Sequence, residues 1–293
     1  MNWHFQYTPG DMWDYDEAGT HILIDGEVAG QARKLITHSG RNGFFYALER
    51  ANGQTLLAKP YAGTVTWTRG IDQKTGLPVD YDPNRDIQVY SGQQNMTPAD
   101  RTKKLCPSWI GGNNYWSASY SRRTKLLYIP SASSCNEATL DPAFKSVKVE
   151  NNVPLAENVL REIANGALYG SVQKYTERNE SDIVLLDPFT GEVRKKLHKP
   201  YPNHSAALTT AGSLLFTGFI DGSFAAYDDI SLDQLWQVNV GVGINAPPMT
   251  FEVGGKQYVA ILTGLSRPAK TTLVNTPELR EMRNQTMLFV FGL

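Results

Sequence analysis

Asp182-Ile183-Val184-Leu185-Leu186-Asp187-Pro188-Phe189-Thr190-Gly191 joins a short apolar run to a turn. The run has the length of a strand and ends at turn-forming residues. Asp187 is followed three and four positions later by Thr190-Gly191. In such a turn the acid accepts backbone N–H groups and Gly takes the left-handed position. The arrangement recurs at Glu49 with Asn52-Gly53 and Asp72 with Thr75-Gly76, and in degraded form at Asp228 with Ser231-Leu232. Glu49, Asp187 and Asp228 each follow an apolar strand candidate directly. Turns of this kind occur in any β protein, but Asp187 and Asp228 lie 41 residues apart, a period suited to four-stranded propeller blades. By spacing alone the chain would hold roughly six blades of ~45 residues. The expected fold is therefore all-β, a β-propeller.

Further strand candidates flank this segment: 43–48, 125–129, 213–217, 258–262 after the Gly254-Gly255 pair, and 287–293. Helical periodicity is scarce, with short helices expected over 155–164 and 276–283. The 293 residues are 41% hydrophobic and 11% aromatic, which fills a sizeable core and excludes intrinsic disorder. Only 19% are charged and the net charge is −1, so nothing draws the chain generally to nucleic acid or anionic membrane. No run approaches the ~18 apolar residues of a membrane span. Met1 to Tyr7 lacks the basic and apolar regions of a secretory signal and reads like the interior of a strand. The expectation is either a cytosolic protein or a chain that begins inside a longer polypeptide. Cys106 and Cys135 lack the partners of a four-ligand zinc site, which leaves two buried thiols or one disulfide. The five histidines show no ligand spacing and are expected to be ordinary surface or hydrogen-bonded residues.

The densest chemistry is Asp11-Met12-Trp13-Asp14-Tyr15-Asp16-Glu17. In an extended segment Asp14 and Asp16 project from one face and Trp13 and Tyr15 from the other. Two carboxylates roughly 6–7 Å apart at the Cα level can bracket a hard cation, or divide metal binding and proton transfer between them. The bland alternative is a solvated acidic loop. Asp14, Asp16, Gly19 and Asp25 partly imitate an EF-hand, but Ala18 and the β-like His21-Ile22-Leu23-Ile24 exclude it.

The stretch Trp3 to Asp16 resembles the active-site segment of pyrroloquinoline quinone (PQQ)-dependent alcohol dehydrogenases, the quinoprotein methanol and ethanol dehydrogenases. The resemblance continues through 38–46, 65–72, Cys106-Pro107, Gly111-Gly112-Asn113-Asn114-Tyr115-Trp116, 208–218, Leu235-Trp236 and 254–264. It implies an eight-bladed propeller with PQQ and a metal ion on its axis, of which this chain holds about four blades. Long insertions such as 61–100 then replace the six-blade arithmetic. The whole of 1–293 is expected to be the C-terminal part of one propeller domain, with the N-terminal half, and its metal and PQQ ligands, upstream of Met1.

By the same resemblance Asp14 matches the catalytic base, which takes the alcohol proton as hydride passes to the quinone C5. Arg41 and Asn114 match residues that contact PQQ, although each also reads as ordinary turn sequence. Trp236 is expected to pack between blades rather than touch cofactor. Asp14 and Asp16 would serve the metal. Calcium-dependent relatives carry a small residue at the position of Asp16, whereas lanthanide-dependent ones carry Asp, so a lanthanide ion is expected, with Ca2+ the alternative. The family's disulfide has the 29-residue spacing of Cys106 and Cys135, which implies an oxidising compartment, the periplasm. The implied reaction oxidises a small primary alcohol to an aldehyde, with cytochrome c as electron acceptor and a homodimer left open for the full-length protein. This chain alone is expected to be inactive. The competing reading is a catalytically inactive propeller scaffold for protein partners, told apart by whether Asp14, Asp16, Arg41 and Asn114 converge.

Overall fold

The structure, a computed structural model, describes residues 1–11, 13–85, 88, 90, 102–140, 171–280, 282 and 284–292. Among them the strands are β1 (His21–Val28), β2 (Gln31–Ser39), β3 (Phe44–Glu49), β4 (Thr55–Pro60), β5 (Thr102–Leu105), β6 (Ser119–Ser121), β7 (Leu126–Ser133), β8 (Asn136–Leu140) and β9 (Ser171–Lys174). They continue with β10 (Glu180–Leu186), β11 (Val193–Lys199), β12 (Leu208–Thr209), β13 (Leu214–Gly218), β14 (Ser223–Asp228), β15 (Gln234–Asn239), β16 (Met249–Val253), β17 (Lys256–Leu262) and β18 (Leu288–Gly292). Three sheets have four strands: β1-β2-β3-β4, β6-β7-β10-β11 and β12-β13-β14-β15. A fourth, β16-β17-β18, has three, and β5-β8-β9 forms a small separate sheet. The pairing within every one of these sheets is antiparallel.

Side-chain alternation along the third strand of each four-stranded sheet explains how the sheets stack. Phe45 and Ala47 of β3 join Leu127, Ile129, Val184 and Leu186 of the next sheet. Ile183 and Leu185, on the opposite face of β10, join Leu215, Ala225 and Tyr227 of the third sheet. Phe216, Phe224 and Ala226 then meet Val259 and Ile261 of the fourth. Each third strand is covered on both faces, which is why β3, β10 and β14 are continuous apolar runs rather than alternating ones. Sheets stacked face to face in sequence order are the blades of a propeller, and the described residues form four of them.

The turns after these strands are those the sequence marks. The N–H groups of Gly53, Gly76 and Gly191 donate to the carbonyls of Glu49, Asp72 and Asp187 at 2.8 Å, and Leu232 does so to Asp228 at 3.0 Å. The Asp side chains cap their turns: Asp72 accepts from Lys74 and Thr75, Asp187 from Phe189, and Asp228 from Ile230 and Ser231. Trp236 lies between Phe224 and Phe291, hence between blades as expected. Two expectations fail. Met1 to Tyr7 is not a strand, because its Trp3, Phe5 and Tyr7 lie against the outer face of the first sheet without pairing to it. Among the described residues of 276–283, Pro277–Arg280 is helical, while Arg267–Thr271, capped by Ser266, forms a helix that the sequence reading missed. The helix expected over 155–164 lies outside the described residues.

Candidate functional site

Three connections bring the site together: the N-terminal loop 8–20, the turn between β2 and β3, and the loop 106–116. The N-terminal loop is not an extended strand. Asp14 has φ +68°, in the left-handed region, and the loop winds around Asp11. Asp11 accepts hydrogen bonds from the backbone N–H groups of Trp13 (2.8 Å) and Tyr15 (2.6 Å). Asp11 is exposed as a residue, but its carboxyl oxygens face the backbone of two buried aromatics. That partial burial holds it above the ordinary carboxylate range, opposed by the two hydrogen bonds and reinforced by the Asp14 charge. Trp13 and Tyr15 are buried on the first sheet's outer face, so the sidedness expected of the acidic segment holds although its strand geometry does not.

Arg41 is the hub. Its Nη1 donates to Asp16 Oδ1 at 2.7 Å and to the Asp16 carbonyl at 3.3 Å. Its Nη2 donates to Asp14 Oδ2 at 2.9 Å and to the Trp109 carbonyl at 2.6 Å. The Arg41 side chain is 6% exposed, so it is no surface turn residue; Asp14 is 21% exposed and Asp16 71%. The loop that supplies Trp109 approaches closely because Gly111 (φ +84°) has no Cβ; one built there would lie 2.7 Å from Arg41 Cβ. Gly112 N–H also donates to the Arg41 carbonyl at 2.9 Å. That loop is fastened by the Cys106–Cys135 disulfide, which decides between the two readings left open for the cysteines.

Asn114 stands apart. Its side-chain amide donates to the Ile110 carbonyl at 2.8 Å and its oxygen accepts from Tyr115 N–H, so it shapes the loop rather than joining Asp14, Asp16 and Arg41. Sequence reasoning missed Asp11, which an Asx-type turn before Trp13 signals. It also missed Glu17, for which no local signal exists. Among the histidines, His38 donates through Nε2 to Glu17, and His198 is exposed beside Asp182. His204 departs from the ordinary pattern, being fully buried, stacked on Trp116 and without a partner for either ring nitrogen.

The donor set fits the groups the resemblance implies. Two hard carboxylates, one largely exposed, suit part of a cation's oxygen shell. The buried Nε of Arg41 lacks a partner, as a donor aimed at an acceptor from outside would. Among the described residues no group of three His, Cys, Asp or Glu is placed to hold a metal ion, so the pair supplies only part of such a shell.

Comparison with known proteins agrees with this architecture. The family described as glucose/ethanol/alcohol dehydrogenase, beta-propeller domain (PQQ) matches residues 1–59 and 183–259. The chain is a PQQ-family β-propeller. Quinohemoprotein alcohol dehydrogenase ADH IIB of Pseudomonas putida is 33% identical over 100% of the chain and 39% of its own length. Among solved structures, quinohemoprotein alcohol dehydrogenase from Comamonas testosteroni superposes with a TM-score of 0.78 at 26% identity, over 99% of this propeller chain and 40% of its own. A europium-containing methanol dehydrogenase gives 0.76 at 26% identity, over 99% and 50%. The chain thus spans 39–40% of the first curated relatives it matches.

Proposed function

We infer that Asp14, Asp16 and Arg41 form one wall of the active site of a PQQ-dependent alcohol dehydrogenase that oxidises a small primary alcohol to an aldehyde. The observation that carries this reading is the guanidinium of Arg41 joining both carboxylates at 2.7–2.9 Å. When bound with its metal ion, PQQ supplies an electrophilic quinone that accepts hydride. Asp14, aimed by its ion pair with Arg41, takes the alcohol O–H proton on its carboxylate. Asp16 adds a second negative charge that suits a trivalent ion better than calcium. Arg41, fixed at backbone and side chain, has an unpaired Nε that would donate to an acceptor oxygen of the cofactor. The disulfide suits an oxidising compartment such as the periplasm, and the quinohemoprotein relatives favour a cytochrome c acceptor. Three of the four discriminating residues, Arg41, Asp14 and Asp16, converge while Asn114 stands apart, and the buried cation between carboxylates, which a partner-binding scaffold does not require, supports the enzyme reading.

The test is reconstitution of the full-length protein with PQQ and alcohol. Lanthanum or cerium supports dye reduction, Asp14→Asn abolishes it, and Asp16→Ala removes lanthanide-dependent turnover while the folded β spectrum persists. Turnover with calcium but none with lanthanum overturns the metal assignment. No alcohol-dependent turnover with either ion overturns the function.

A further inference from the structure

We propose that Glu17 is the positioning residue for Arg41, acting through the backbone of the β2–β3 turn. It rests on the reading of Asp14, Asp16 and Arg41 as one site. A single oxygen, Glu17 Oε2, accepts from His38 Nε2 at 2.7 Å and from the Arg41 backbone N–H at 3.1 Å. The side chain crosses from the N-terminal loop to the end of β2, a separation of 24 residues from Arg41. It lies against the bare backbone of the turn: a Cβ on Gly40 would fall 2.9 Å from Glu17 Oε1. That oxygen is buried and has no partner of its own, so the carboxylate is held in place by Oε2 alone.

The ring that receives this carboxylate is itself fixed. His38 is 2% exposed and is held between His21, stacked at 4.1 Å, and Tyr7 at 4.7 Å. Arg41 is consequently anchored at both of its backbone polar groups, by Glu17 at the N–H and by Gly112 at the carbonyl. With the backbone held, the side chain is directed across Asp14, Asp16 and the Trp109 carbonyl, and the two acids are drawn together by it. Glu17 touches neither acid in these contacts. Its effect reaches them through Arg41, which makes reach, rather than charge, the property that matters.

Two substitutions in the full chain separate reach from charge. Glu17→Gln keeps the length and an oxygen acceptor; Glu17→Asp keeps the charge but withdraws it by one methylene. Hydrogen exchange of the buried Arg41 backbone N–H, followed by nitrogen-15 NMR, stays within about twofold of wild type in Gln and quickens about tenfold in Asp, the size expected for one lost hydrogen bond. Terbium affinity, read from luminescence sensitised by Trp13, follows the same order. Equal behaviour of Gln and Asp, or quickened exchange throughout β2 and β3, overturns the proposal. If terbium binds no form, wild type included, while Arg41 exchange keeps the predicted order, the positioning role stands and the cation reading falls.

Discussion

Arg41 carries four hydrogen bonds on two nitrogens, and three of them end on Asp14 or Asp16. This arrangement was partly legible in the sequence. The acidic run from Asp11 to Glu17 marked Asp14 and Asp16, and the resemblance supplied Arg41. Spacing did not reveal that Asp14 takes a left-handed backbone, nor that Glu17 reaches His38 across 21 residues, because tertiary contacts of that range leave no local pattern. His204 was equally silent. Complete burial lowers its pKa from 6.5 to about 3, so the folded ring stays neutral where the unfolded one takes up a proton. This contribution to stability is full above pH 6.5 and is lost as pH falls toward 3, at up to about 1.4 kcal/mol per pH unit. Urea titrations should therefore show wild type losing stability between pH 6.5 and about 4.5 more steeply than His204→Phe. Equal slopes would sink that account.

The strands divide by how many faces they bury. The third strands of the blades, covered on both sides, wrote themselves as apolar runs, whereas β11, Val-Arg-Lys-Lys-Leu-His-Lys, is an exposed outer strand with no such signal and was missed. The turns tell a similar story. The Asp- and Glu-led copies were visible, but a fifth, in which Lys125 N–H donates to the Ser121 carbonyl at 2.8 Å, was not, since Ser replaces the acid and Lys the Gly. Lys125 is exposed and holds φ +59°. A lysine there carries a steric cost that glycine avoids, so Lys125→Gly should stabilise the chain by about 1 kcal/mol. A higher midpoint of thermal unfolding is the expected result, and a lower one counts against the strain.

Across the described residues, blade touches blade in sequence order, and they form four blades where spacing alone allowed six regular ones. The insertions lower the count: residues 134–179 separate β7 from β10, and 263–287 separate β17 from β18. The first and third blades, by contrast, are built from consecutive strands joined by short turns. This connectivity has a kinetic meaning. Pairing β7 with β10 closes a loop of 46 residues, 134 to 179, and costs about 2 kcal/mol more chain entropy than a tight hairpin. The first and third blades should accordingly gain structure early, with the second completed between them afterwards. Pulsed hydrogen exchange during refolding would read this as late protection of the β7–β10 amides relative to β2–β3 and β13–β14, and simultaneous protection would show that the blades fold as one unit. The blade next to the one that carries the site would then be the last to gain its third strand, leaving the face of β3 that bears Phe45 and Ala47 waiting on its neighbour.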